Sequence, residues 1–80
     1  MGKISKPDYL KNMGENLRKI RKSKNLSLRQ LSATCSIDHS DIGKMERGEV
    51  NITILTLIEL SKALEVHPRK ILDFEIVSED

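Results

Sequence analysis

Tryptophan is absent from this chain, and Tyr9 and Phe74 are its only aromatic residues. A core drawn from its eighty residues must therefore be aliphatic. Cysteine is nearly absent too: Cys35 stands alone, so no internal disulfide can form. A lone thiol without a signal peptide fits a reducing cytoplasm, with Cys35 as a small buried residue. The longest apolar stretches, "ITIL" and "LTLIEL", are broken by Thr and Glu and are too short to span a bilayer. Alternating apolar and polar runs are missing, which removes the main signature of β-strands.

Catalytic equipment is also lacking. There is no Ser/His/Asp set, no phosphate-cradling glycine loop and no carboxylate pair in a plausible cleft. Cys35 and His39 are four apart, with Asp38 and Asp41 nearby, but a turn between them keeps them off one helix face. No enzyme activity, metal or cofactor is expected.

What is present suits short amphipathic helices: Leu, Ile, Lys, Glu and Ser dominate. The length allows one domain with a compact core, which oligomerisation would help. Charge is unevenly spread. Residues 1–50 hold eleven Lys/Arg against six Asp/Glu, whereas residues 51–80 hold three against six. A basic half beside an acidic half suggests a polyanion partner on one side only.

Along the chain, "MGKISKP" reads as a flexible basic tail over residues 1–7. Asp8 can cap a first helix whose apolar stripe is Leu10, Met13, Leu17 and Ile20, ending near Lys24 and Asn25. Ser27 and Gln30 form an S-x-x-Q capping box for a short second helix bearing Leu28 and Leu31. Asp38 can cap a third, with Asp41 favourable to its dipole, Ile42 and Met45 facing inward, and Gly48 ending it. Thr53 caps a fourth, "ILTLIELSKAL", apolar on most sides and so expected at the centre of the bundle. His67 reads as a cap and Pro68 as the first position of a fifth, "PRKILDF". Residues 8–74 make the domain, and residues 75–80 an acidic tail.

Two short helices around a tight turn, inside a basic all-helical domain, describe a helix-turn-helix. The run from "MGENLRKIRKSKNLSLRQL" through "SIDHSDIGKMERG" to "TLIELSKALEV" resembles the phage-repressor helix-turn-helix family, also called Cro-type or XRE. Its "LG-x-x-[LI]-[RK]" first helix, "LS" second-helix start, "I-x-x-[IM]-E-x-G" third helix and "TL-x-x-[LI]-[AS]-KAL" fourth follow in order, with Met13 in place of the first pattern's Leu. The resemblance covers about Met13 to Leu72. It implies a compact five-helix, lambda-repressor-like all-α fold and a cytoplasmic transcriptional regulator that binds double-stranded DNA, with a homodimer on a palindromic operator.

The resemblance also assigns residues. The third helix becomes the recognition helix, over about Asp38–Arg47. Its base-contacting residues would be His39, Ser40, Gly43 and Lys44, with Arg47 near the phosphate backbone. The first residue inside the second helix is often Gln in this family; here it is Leu28, so that phosphate contact passes to Ser27, Arg29 or the helix N-terminus. Arg21 and Glu46 occupy positions that the family commonly links by a salt bridge; the alternative is two separate surface charges. Ser36 stands where the turn usually has Gly, at a conformational cost if that position is left-handed. Gly43 costs roughly 1 kcal/mol of helix propensity and either admits a base or thymine methyl close to the backbone, or is drift. Surplus apolar residues in the second half, Leu55, Leu60, Leu72, Phe74 and Ile76, are the expected dimer surface. A rival reading keeps the helix-turn-helix as scaffold only, in a protein-binding module or antitoxin whose main partner is another protein. A steep salt dependence of DNA affinity separates the two.

Overall fold

A computed structural model describes residues 6–75. Most of the two expected tails, and Ile76 of the expected dimer surface, lie outside the described residues. The chain forms five helices: α1 (Lys6–Ser23), α2 (Leu28–Ser32), α3 (His39–Glu46), α4 (Ile54–Leu64) and α5 (Pro68–Ile71). The described residues contain no strand. No helix among them is long and apolar enough to cross a membrane.

Most helix ends fall where the local chemistry puts them. Ser27 accepts from the Gln30 N–H at 3.0 Å, and Gln30 Oε1 accepts from the Ser27 N–H at 2.7 Å, completing the capping box. Asp38, Thr53 and His67 cap α3, α4 and α5. Asn25, at φ 60°, takes the left-handed conformation that follows α1. α1, however, begins at Lys6 and not behind an Asp8 cap. Pro7 falls in its first turn, where a missing N–H costs nothing.

The core is aliphatic: Met13 and Leu17 of α1, Leu31 of α2, Ile42 and Met45 of α3, Leu57, Leu60 and Leu64 of α4, and Ile71 of α5. α1 packs on both α3 and α5. The crossing with α3 is close because Gly14 has no side chain: a Cβ there would meet the Met45 and Glu46 carbonyl oxygens. Two residues further along α1, Asn16 Nδ2 donates to the Lys70 and Ile71 carbonyls at 2.7 and 2.8 Å. Asn16 thereby ties α1 to the end of α5, where the Lys70 carbonyl also accepts from the Asp73 N–H at 3.3 Å.

α4 buries one face and leaves the other open, so it is less central than its composition suggests. Leu60 is fully buried, while Ile54 and Leu55 are 65% and 78% exposed. Leu60 is therefore a core residue and is removed from the expected dimer surface. Successive helical residues are rotated by about 100°, so residues three and four apart share one stripe, and Leu60 shares it with Leu57, Ser61 and Leu64.

Candidate nucleic-acid interface

α2 and α3 form a helix-turn-helix whose turn is held by side chains. Ser32 Oγ donates to the Ile37 carbonyl at 2.8 Å, and Thr34 Oγ1 donates to the Leu31 carbonyl at 2.9 Å. Half-buried Cys35 and Ile37 pack beneath the turn against the core. Ser36 does not adopt a positive φ; among the described residues only Asn25, Glu65 and Gly48 do. The conformational cost expected at Ser36 therefore does not arise. Its N–H and hydroxyl both donate to Glu59 Oε2 at 2.5 Å, which ties the turn to α4. These hydrogen bonds hold the Glu59 carboxyl below its usual range.

The scaffold fixes α3 through a buried ion pair. Arg21 Nε donates to Glu46 Oε2 at 2.6 Å and Nη2 donates to Oε1 at 2.9 Å. Nη1 reaches the Leu26 carbonyl at 2.7 Å. Arg21 and Glu46 retain 7% and 8% of their surface. The fork-on-fork contact raises the Arg21 pKa further above its ordinary value. Gly48, in the left-handed region at φ 73°, sits where a Cβ would come within 2.8 Å of the Lys11 backbone, so the end of α3 also rests on α1.

With Ile42, Met45 and Glu46 facing inward, α3 turns Ser40, Asp41, Lys44 and Arg47 to solvent, and His39 is half-exposed. Asp38 bonds both the Ser40 N–H, at 3.1 Å, and the Ser40 hydroxyl, and these bonds lower its carboxyl pKa. The Ser40 hydroxyl hydrogen is thus engaged, and its lone pairs remain free to accept. His39 Nδ1 lies 3.7 Å from Asp38 Oδ1.

Two expected contact residues are placed differently. Gly43 is buried, not open: Arg47 Nη1 would lie 3.2 Å from a Cβ there, and Leu28 Cδ1 3.6 Å. The Arg47 side chain folds back toward the N-terminus of the helix, as helical side chains do, and covers the glycine. Leu28 is half-buried against the core, so only its backbone N–H could meet a phosphate. Ser27 uses its hydroxyl oxygen in the capping box but keeps its hydroxyl hydrogen, and Arg29 beside it is exposed. Arg47 itself is bonded to Glu49, Nε to Oε2 at 2.7 Å. Sequence reasoning passed over Glu49, Glu59 and Asn16. For Glu49 the signal was available: it follows Arg47 across a glycine that reverses the chain.

Comparison with known proteins gives a consistent answer. The family model HTH_3, helix-turn-helix, matches residues 17–71. The chain is 37% identical over 65 residues to control protein C.BamHI of Bacillus amyloliquefaciens, covering 80% of each. It is 42% identical over 60 residues to control protein C.SmaI of Serratia marcescens, covering 75% of this chain and 71% of that protein. The crystal structure of the restriction-modification controller protein C.AhdI from Aeromonas hydrophila superposes with a TM-score of 0.74 at 34% identity, covering 80% of this chain and 96% of that one.

Proposed function

The chain belongs to the HTH_3 helix-turn-helix family and is a DNA-binding transcriptional regulator, not an enzyme; from that premise we propose that it binds a palindromic operator as a homodimer in the cytoplasm. The observation that carries this reading is the division of α3. Its inner face is held by Ile42, Met45 and the Arg21–Glu46 fork, and its outer face carries Ser40, Lys44 and Arg47, all exposed. An exposed polar helix face on a rigid support is what a major groove accepts.

On this reading Lys44 reaches guanine O6 and N7, His39 donates or accepts, and Ser40 accepts from an exocyclic amine, since its own hydrogen goes to Asp38. Ser27, the Leu28 N–H and Arg29 hold phosphates at the start of α2. The half-exposed and exposed apolar residues Ile54, Leu55, Leu72 and Phe74 supply the surface for a second copy. The relatives named as control proteins favour a controller of a restriction–modification system over other regulators of this size.

The test is a selection of bound duplexes from a random pool, followed by titrations of variants on the selected duplex and on a scrambled one. Lys44→Ala should cost about 1–3 kcal/mol on the selected duplex and little on the scrambled one. Arg29→Ala should weaken both alike and flatten the salt slope by about one. Equal proportional losses for both variants on both duplexes would refute the assignment of a reading face.

A further inference from the structure

The end of α3 carries an arrangement that a recognition helix does not by itself require. Beyond Arg47, the Gly48 N–H bonds the Met45 carbonyl at 3.1 Å and the Glu49 N–H returns to the Lys44 carbonyl at 3.0 Å. This double closure fixes the backbone of Glu49 beside the last turn of the helix. Its carboxylate then meets the side edge of the Arg47 guanidinium, Nε to Oε2 at 2.7 Å and Nη2 to Oε1 at 3.4 Å. Nη1 lies back over Gly43, in the space a Cβ would crowd, with Leu28 bordering it. Both side chains stay more than half exposed, at 58% and 51%. Lys44 and Arg29 form no ion pair of this kind among the described residues.

A phosphate clamp gains nothing from this. A carboxylate on the guanidinium repels a phosphate and occupies the Nε–H donor that the phosphate would use. A base reader gains from it. A guanidinium has five N–H donors; Glu49 takes Nε–H and one on Nη2, and the outward pair on Nη1 and Nη2 remains. That end-on pair matches the O6 and N7 acceptors of guanine, and a guanidinium already held in place loses less freedom on binding.

We infer that Arg47 reads a guanine in the major groove, that Glu49 is the positioning residue that aims it, and that Gly43 is the notch that gives it room. This rests on α3 being the recognition helix. It moves Arg47 from the phosphate-holding set to the reading set, and it gives the glycine in mid-helix a purpose: a Cβ at position 43 would lie 3.2 Å from Nη1, so the guanidinium would have to shift to make room for it. The hydrogen bonds from Arg47, with the Arg47 and Lys44 charges nearby, hold the Glu49 carboxyl below its usual range.

Glu49→Gln separates the two roles by sign. The substitution is isosteric and exposed, and it removes one negative charge from a DNA-facing surface. Full-length protein and its Glu49→Gln and Arg47→Ala variants are each put through selection from a random duplex pool. They are then titrated on the wild-type selected duplex and a scrambled one. Glu49→Gln should weaken the selected duplex roughly fivefold while holding or tightening on the scrambled one, and should relax the preference for guanine at one position. Arg47→Ala should lose roughly five- to a hundredfold on the selected duplex and relax that same position. If Glu49→Gln tightens both duplexes alike and leaves base preference unchanged, Arg47 is a phosphate clamp masked by Glu49, and the inference is overturned while the reading of α3 through Lys44 stands. A wild-type protein that selects no sequence overturns the recognition-helix reading and this inference with it.

Discussion

The Arg21–Glu46 pair should contribute more to stability than any other charged contact described for this protein. Arg21→Met removes two charge-assisted hydrogen bonds to Glu46 and one to the Leu26 carbonyl. It leaves a carboxylate with 8% of its surface exposed facing an apolar side chain. Stranding one member of a buried pair typically costs about 3–5 kcal/mol, and the partial opening at the edge of this site favours the lower end, about 3 kcal/mol. Stability for a domain of this size is about 4–12 kcal/mol in total, so one substitution removes a large share. The melting temperature should fall by about 12–24 °C. Glu46→Leu strands the guanidinium, which can still reach the Leu26 carbonyl and solvent, and should cost less, about 2 kcal/mol. The double variant puts two apolar side chains of similar volume in the same space and should be less destabilised than Arg21→Met alone. Urea denaturation of the four proteins gives the coupling, expected at about 2–3 kcal/mol. A coupling below about 0.5 kcal/mol, the range of an exposed pair, would refute the reasoning.

Gly14→Ala should destabilise by at least about 1–3 kcal/mol, because the new methyl meets backbone carbonyls of α3, which cannot swing aside; an unchanged urea midpoint would show that α1 and α3 can part without cost. Leu55→Glu should shift sedimentation from dimer to monomer without lowering the stability of the monomer, since the side chain is 78% exposed; a dimer that persists in both Leu55→Glu and Phe74→Glu would place the interface elsewhere. The Glu59 carboxyl, held low by Ser36, contributes stability that is present at neutral pH and is lost as the pH falls through and below the usual carboxylate range. Glu59→Gln should therefore flatten the acid-side decline of the melting temperature, and an acid profile superimposable on the wild type would contradict the role of that contact.

Local chemistry was legible in the sequence because it acts over three or four residues. The Ser27–Gln30 box, the Asp38, Thr53 and His67 caps, and the left-handed Asn25 and Gly48 are each decided by a side chain and the backbone next to it. The apolar stripes of α1 and α3 follow from helical spacing alone, whereas the outward residues of α3 came from the family resemblance, which counted the buried Gly43 among them. The tertiary structure decided what depends on distant segments. Leu55 and Leu60 are the same residue type on one helix, and only the position of the bundle makes Leu60 core and Leu55 surface. Ser36 is tied to α4 by Glu59, 23 residues away, which accepts its N–H and hydroxyl. Gly43 is covered because Arg47 folds over it and Leu28 comes in from another helix. The reason is the same in each case: a cap or a stripe is satisfied within one helix, whereas burial and the direction of a long charged side chain are settled only by neighbours that the fold brings from elsewhere in the chain.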